Sequence, residues 1–240
     1  EGRNWSMAGG LDGAGYYAGK LDIFNNVVYN WGGRTTDGGA HQVNFVNNYY
    51  KRGPANGITT LLNPDYGGFP GTQQYYMIGN VLQNGSTLVT NQTTLLDVGT
   101  ESGGTLPQNS NPPYSAMVSS PFFSSHATIH SARNAYKQVL SDVGCNLPQI
   151  DNRDTRIIGE TIAGNYTYTG SVSGKRGLPD TTNDVGGWES YPTTTRPSGF
   201  DSDNDGISDE WETKYNLDAN NKSDGALDSD GDGYTNIEEF

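Results

Sequence analysis

Acidic side chains recur in a fixed order within the last forty residues of the chain. Oxygen-bearing side chains occupy positions 1, 3, 5, 9 and 12 of two twelve-residue stretches, with Gly206 and Gly233 at position 6. Calcium takes six to eight oxygen ligands, and such a loop adds the carbonyl of position 7 and a bidentate carboxylate at position 12. The predicted Ca²⁺ ligands are Asp201, Asp203, Asp205, Ile207, Asp209 and Glu212 in the first loop, and Asp228, Asp230, Asp232, Tyr234, Asn236 and Glu239 in the second.

These two loops share their phase at a distance of 27 residues. A solvated acidic tail is the alternative, but it has no reason to repeat glycine and carboxylates in step. Without a cation the carboxylates repel one another, so folding of this region should be coupled to calcium binding. The pattern resembles dockerin modules and thrombospondin type 3 repeats, which are common at the ends of secreted bacterial carbohydrate enzymes. The resemblance implies a structural role in a calcium-rich, extracellular setting.

The formal charge of -13 is concentrated in the same region. Residues 201–240 carry 13 acidic and 2 basic side chains, whereas residues 1–200 carry 14 and 12. With 33 glycines, 15 tyrosines and 32% hydrophobic residues, the composition favours short strands and turns over packed helices. Cys145 is the single cysteine, which excludes a disulfide within the chain, and we expect no membrane span and no nucleic-acid partner. An all-β or solenoid body is therefore expected.

Three short segments of this body share one pattern, in which two apolar residues precede a pair of asparagine or glycine residues and two more apolar or aromatic residues. They are residues 23–28, 45–50 and 77–82. Their spacings of 22 and 32 residues predict coils of a parallel β-helix with one lengthened loop. Asparagine tolerates a left-handed corner, and its amide can hydrogen-bond its copy in the next coil. Three unrelated strand–turn pieces of a sandwich are the alternative.

The pattern along the chain predicts three regions. Residues 1–90 carry the coils, residues 91–198 form an extension, and residues 199–240 hold the calcium-binding module. Within the extension, residues 131–144 and 151–164 have the apolar spacing and the end signals of two short helices that pack on the solenoid. Because a few coils cannot bury their own ends, we expect the stack to continue in residues that precede this sequence.

Two motifs on the coils resemble pectate lyases of polysaccharide lyase family 1. The stretch NNVVYNWGGR ends at Arg34 and VNNYYKRGP ends at Pro54, and they are similar to the family's NNVxYNWG and NNYYKxGP. Stretches around Cys145, Arg153 and Trp188 resemble the C-terminal extension of its secreted bacterial members. The resemblance implies an all-β fold, namely the C-terminal coils of a right-handed parallel β-helix, followed by a loop- and helix-containing extension and a small EF-hand-like calcium module.

The family cleaves α-1,4-linked galacturonan by β-elimination, which removes the proton at C5 and leaves an unsaturated sugar. This chemistry needs a cation on the substrate carboxylate and a base above C5. The resemblance implies Arg3 as the catalytic residue, either as a base or as an electrostatic clamp on the developing enolate. The family's pattern around this arginine is altered here, because Trp5 stands in place of proline and Ala8 in place of a second arginine.

The same resemblance implies substrate-binding roles for Arg34, Lys20 and Trp31. A guanidinium suits bidentate binding of a carboxylate, and an indole can stack on a sugar ring. A solvated loop charge is the alternative for Arg34, and packing between coils is the alternative for Trp31. The catalytic calcium ligands of the family lie on preceding coils, so we expect this chain to be the C-terminal portion of a larger lyase and to be inactive alone.

The expected partners are an acidic polysaccharide such as pectate or galacturonan, and either the missing N-terminal part of the protein or a companion chain. The expected location is outside the cell or at its surface, in a bacterium. A non-catalytic adhesion, anchoring or fibre-forming module with calcium is the competing interpretation. A β-helical glycoside hydrolase is a third, but it would need two carboxylates flanking the scissile bond, and Asp12, Asp22 and Asp37 form no convincing pair.

Overall fold

The computed structural model describes residues 4–7, 10–55, 57–66, 69–99, 106–146, 149–191, 193 and 195–240. The chain forms two compact units, Glu1–Glu189 and Ser190–Phe240. Among the described residues, no helix combines the length and the apolar character needed to cross a membrane.

Short strands of the first unit follow one another in a repeating order and form three sheets. They are β1 (Lys20–Phe24), β2 (Val27–Tyr29), β3 (Thr36–Gly38), β4 (Gln42–Val46), β5 (Tyr49–Lys51), β6 (Leu62–Pro64), β7 (Gln74–Ile78), β8 (Val81–Asn84), β9 (Thr87–Val89) and β10 (Met117–Val118). The sheets have the orders β1-β4-β7-β10, β2-β5-β8-β9 and β3-β6. All pairings are parallel except that of β8 with β9. Each coil thus adds a strand to successive sheets, as the repeats predicted for a β-helix-like fold; its right-handedness stays a prediction.

Alternating side chains of these strands fill the inside of the coils. Val43 and Phe45 of β4, Tyr50 of β5 and Tyr75 of β7 are fully buried. The Tyr50 hydroxyl shares a 2.5 Å hydrogen bond with Oγ1 of Thr36, so its polar end is satisfied within the core. Each large side chain that is removed from water contributes about 2–3 kcal/mol, and these buried rings therefore hold successive coils together.

The two residues of each predicted asparagine pair have different roles at the corner between strands. The first residue of each pair is Asn25, Asn47 or Gly79, and all three have positive φ, at 54°, 53° and 67°. Asparagine and glycine tolerate this left-handed conformation, which turns the chain from one sheet into the next. At Gly79 a Cβ would lie 1.8 Å from Oδ1 of Asn47, so the third coil has no room for a side chain at this corner.

The second residue of each pair forms a buried ladder of amides. Oδ1 of Asn48 accepts from the Asn26 Nδ2 at 2.9 Å, and Oδ1 of Asn80 accepts from the Asn48 Nδ2 at 3.0 Å. The backbone N–H groups of Asn26 and Asn48 donate to the same oxygens. Gln92 ends the ladder, because its Oε1 accepts from the Asn80 Nδ2 at 2.8 Å. The stacking that the repeats predicted is therefore present, and every step is hydrogen-bonded.

The remainder of the first unit packs against these coils. Its helices are α1 (Gln92–Leu95), α2 (Ala132–Asp142) and α3 (Asn152–Ala163), with 3₁₀ turns at Pro107–Asn109 and Thr182–Val185. α2 contacts β2 and β5. α3 begins after its cap Asp151, whose side chain accepts from the Asp154 N–H, and ends at Gly164 with φ 71°. The predicted helical stretches thus contain helices, whereas β10 lies in a stretch without apolar periodicity and adds a fourth strand to the first sheet.

The second unit is built around two short helices, α4 (Asp209–Tyr215) and α5 (Asn236–Glu239). Ser208 caps α4 by accepting from the Trp211 N–H, and Thr235 and Glu238 form a reciprocal capping box at α5. Each helix begins at position 9 of one of the two acidic loops and contains the glutamate at position 12. The loop ends and the helix starts are therefore fixed together.

Candidate metal centre and substrate-binding residues

Both acidic loops of the second unit share a set of internal hydrogen bonds. In the first loop, the Asp201 carboxylate accepts from the N–H groups of Asp205 and Gly206, at 3.2 and 3.1 Å. In the second, Asp228 accepts from the N–H groups of Asp232 and Gly233, at 3.2 and 3.0 Å. The two glycines have φ of 107° and 101°, the sharp turn that such a loop needs. The shared phase of the sequence therefore corresponds to a shared backbone conformation.

Four carboxylates meet beside the first loop. One oxygen atom from each of Asp203, Asp205, Glu212 and Asp224 lies within 4.8 Å of the others. Glu212 is completely buried and Asp224 is 6% exposed. The sequence pattern missed Asp224, because it lies between the loops and outside their twelve-residue spacing.

Several oxygens of this cluster lack a hydrogen-bond donor. Among the described residues, the buried side-chain oxygens without a partner include Oδ2 of Asp203, Oδ2 of Asp205, both Oε atoms of Glu212 and Oδ1 of Asp224. Burial, together with the neighbouring charges of Asp203 and Asp205, raises the pKa of Glu212 to about 7. Burial likewise raises the pKa of Asp203. The arrangement opposes ionisation of its own acids, as expected where a positive charge is required.

The second loop gathers its acids in a more open setting. Asp228, Asp230 and Asp232 each place an oxygen atom within 4.8 Å of the others, and all three are exposed. Partial desolvation and the nearby charges of Asp230, Asp232 and Asp228 raise the pKa of Glu239. The second loop therefore offers the same type of oxygen ligand with more access for water.

Other predicted ligands have contacts of their own. The Ile207 side chain is buried, and its N–H donates to Asp205 at 2.8 Å. Asp209 accepts from the N–H and the hydroxyl of Ser202, at 2.7 and 2.5 Å. Tyr234 is exposed and its N–H donates to Asp232 at 2.9 Å. The individual ligand roles in the two loops stay predictions.

Asn236, the predicted ligand at position 9 of the second loop, has a buried side chain. Its Nδ2 donates to the carbonyl oxygen of Asp224 at 2.6 Å and to Oγ of Ser229 at 2.9 Å. The same amide group therefore links α5 to the segment between the loops.

The donor set fits a hard divalent cation. Buried carboxylate oxygens that accept no hydrogen bond are the ligands that Ca²⁺ prefers, and Asp203, Asp205, Glu212 and Asp224 would hold it in the first site. Asp228, Asp230 and Asp232, with Glu239 beside them, would hold it in the second. A bound cation there neutralises charge and stabilises the fold of the second unit.

The predicted catalytic arginine, Arg3, lies outside the described residues. The segment directly after it pairs with the strand that follows Arg34. The Asn4 N–H donates to the Thr35 carbonyl at 3.3 Å, and the Asp37 N–H donates to the Trp5 carbonyl at 2.9 Å. Residues 4–6 therefore run alongside residues 35–37, the segment that contains the start of β3.

Arg34 and Lys20 are accessible, whereas Trp31 is not. Arg34 Nη1 lies 3.1 Å from Oδ2 of Asp37, and its side chain is 39% exposed. Lys20 is exposed at the start of β1. Trp31 is 3% exposed, and its indole donates to the Ile58 carbonyl at 2.8 Å while packing edge-on against Tyr50. The position of Trp31 agrees with the alternative interpretation, packing between coils.

Two comparisons with known proteins found similarity to this chain. Residues 201–216 and 228–239 match the family model described as the bacterial TSP3 repeat. Over 229 residues, or 92% of this chain, the sequence is 26% identical to a protein named probable pectate lyase C from Aspergillus flavus. The alignment covers 47% of that protein, so the chain spans about half the length of this curated relative. These matches support the two general resemblances that the sequence motifs suggested.

Proposed function

We propose that this chain is part of a secreted lyase that cleaves a pectate-like acidic polysaccharide by β-elimination, and that its second unit is a calcium-binding structural appendage. The observation that carries the proposal is the similarity to a probable pectate lyase C along 92% of the chain, on a body built of stacked parallel strands. Because the chain spans about half of that relative, the activity belongs to a longer protein or to an assembly with a companion chain.

The contacts around β3 support the proposed chemistry. Abstraction of the C5 proton becomes easier when positive charge lies close to the neighbouring carboxylate and to the enolate that develops from it. Arg34 is held by Asp37 yet remains partly exposed, so its guanidinium can bind a substrate carboxylate. Residues 4 and 5 run beside residues 35–37, directly after Arg34, and the family resemblance makes Arg3 the proposed base or clamp. Calcium, when bound by the longer protein, would supply further positive charge at the substrate carboxylate.

Ultraviolet absorbance of the unsaturated product during incubation with polygalacturonate and calcium tests this proposal. The longer natural protein should generate the product, and the 240-residue chain alone should not. In the longer protein, R34Q should lower kcat/KM about a hundredfold, a loss typical of a missing charge-assisted contact in the transition state. R133Q, which removes an exposed arginine from α2, is the matched control and should leave the rate unchanged.

Three results would overturn the proposal in different ways. Absence of product from the longer protein on pectate, with retained binding of the polymer, would favour the non-catalytic adhesion alternative. Full activity of the 240-residue chain would contradict the requirement for a missing part. Equal rates for R34Q and R133Q would remove Arg34 from the substrate-binding site.

A further inference from the structure

Asp224 lies on the turn between the two calcium loops, outside both matched repeats. One of its oxygens, Oδ2, accepts from the Asp218 N–H at 3.0 Å. The other, Oδ1, is buried and accepts no hydrogen bond from the described residues, and the Asp224 carboxylate belongs to the cluster at the first loop. We propose that Asp224 is a ligand of the first calcium site and that, through it, filling of the first site prepares the second. This inference rests on the calcium binding proposed above.

Burial makes this cluster different from an ordinary acidic surface. A solvated group of acids keeps its oxygens in water, whereas Glu212 and Asp224 are buried, carry unpartnered oxygens and each place an oxygen within 4.8 Å of one from the other. Ion pairs of the described residues, such as Arg34–Asp37, Arg153–Glu189 and Arg156–Glu160, involve other carboxylates. Because uncompensated buried charge is strongly unfavourable, the cluster is built for a cation and not for a basic side chain.

The position of Asp224 is also defined by the backbone around it. A Cβ on the next residue, Gly225, would lie 2.3 Å from Oδ2 of Asp205. Glycine therefore allows the turn to approach the first loop closely enough for Asp224 to join its carboxylates. An added carboxylate raises the negative charge of the site, and the charge count of the ligands is one of the features that tune calcium affinity.

The same turn holds the helix that ends the second loop. The carbonyl of Asp224 accepts from the Asn236 side chain at 2.6 Å, and the carbonyl of Gly225 accepts from the Ile237 N–H at 3.0 Å. Both contacts are to α5, which also contains Glu239, the predicted bidentate ligand of the second loop. A cation that fixes Asp224 therefore fixes the start of α5, so the second loop loses less conformational freedom when it binds.

Calorimetric titration of CaCl₂ into the full, chelator-treated chain tests the proposal with the variant D224N. The variant keeps an acceptor for the Asp218 N–H but removes the charge. We expect the affinity of the first site to fall at least about tenfold, as for loss of a metal ligand. We expect the second site to weaken about threefold, although its own ligands are unchanged. E210Q, on the exposed face of α4, removes the same charge nearby and should change neither site more than about twofold.

A terbium measurement keeps the proposal falsifiable if D224N folds poorly without calcium. The measurement uses a D232N/E239Q background, which disables the second loop. Terbium at the first site is excited through Trp211, and the number of waters bound to the terbium ion is obtained from its luminescence lifetimes in H₂O and D₂O. D224N should add at least one bound water, whereas E210Q should add none. Equal affinities and equal water counts for D224N and E210Q would overturn the role of Asp224. Absence of calcium uptake by the unaltered chain would instead overturn the calcium binding on which it rests.

Discussion

Two sets of buried polar side chains stabilise the two units in opposite ways. The ladder of Asn26, Asn48 and Asn80 consists of amides, each of which carries both a donor and an acceptor, so a stack satisfies itself from coil to coil. The cluster beside the first calcium loop consists of carboxylates, which only accept when ionised. The amides need nothing from outside the chain, whereas the carboxylates need a cation. The stability of the body and that of the second unit should therefore respond to different variables.

Removal of calcium should produce the largest difference between the units. A chelator should destabilise the second unit by about 5 kcal/mol when both sites had been filled at roughly a hundred times their dissociation constants. Amide exchange should accelerate at Trp211 and Glu212 and remain slow at Asn48. Equal protection of these amides from exchange with and without chelator would contradict the calcium dependence of the second unit.

A break in the ladder should be the next largest effect, and calcium should not relieve it. N48A removes the acceptor for Asn26 and the donor to the Ile23 carbonyl, and it should lower the free energy of unfolding of the body by about 3 kcal/mol. N26A, at the less buried end, should cost about 1 kcal/mol. Denaturant titrations with and without calcium measure both. A calcium-dependent loss in N48A would contradict the independence of the two units.

Replacement of the position-12 glutamates should separate the two calcium loops. E212Q removes a fully buried charge and should weaken calcium binding at the first site about tenfold, whereas E239Q, at an exposed position, should weaken the second about threefold. In the absence of calcium, E212Q should melt at a higher temperature than the unaltered chain, because an amide replaces an uncompensated carboxylate. A lower melting temperature without calcium would show that the carboxylates are already compensated.

The smallest of the expected effects is that of acid on a third set of polar side chains. This set consists of the carboxylates of Asp180 and Asp184, which accept hydrogen bonds from backbone N–H groups. Hydrogen bonds from Ser171 and from the Asp180 N–H lower the pKa of Asp184, and those from Ser173 and Val172 lower that of Asp180. Because both folded pKa values lie below the ordinary 3.8, their stabilisation is present above about pH 4 and is lost as the pH falls through the folded values. Carboxyl-carbon NMR titration should give midpoints below 3.8 with or without calcium. Midpoints at or above 3.8 would disprove these contacts.

The sequence predicted the parts of the molecule that depend on local periodicity. The apolar pairs around Asn26, Asn48 and Asn80 predicted parallel coils, and the acidic spacing predicted two equivalent loops, because both patterns repeat within the chain. Asp151 and Gly164 are residues with strong helix-end preferences, and they flank α3 in the structure. Repeats and helix-end residues of this kind can be recognised in a sequence without any knowledge of the tertiary contacts.

Features that depend on distant contacts were not predictable in this way. Gln92 ends the asparagine ladder because the chain folds back, and glutamine alone gives no such signal. Asp224 joins the first calcium site from outside the twelve-residue pattern. The one available signal was the Asp224–Gly225 pair, an acid followed by the glycine that permits close approach. Trp31 belongs to a motif that suggested sugar stacking, but it is buried through contacts with Tyr50 and Ile58, which are distant in the sequence.

The corner formed by Asn25, Asn47 and Gly79 has a consequence for protein engineering. Strands before and after this corner keep their register, although successive asparagines of the ladder are 22 and then 32 residues apart. The additional residues lie in the links 52–61 and 65–73, which correspond to the shorter links 30–35 and 39–41 of the preceding coil. These links are the places where foreign peptides can be grafted, and a library of insertions there would vary the outer surface while leaving the cross-section of the solenoid unchanged.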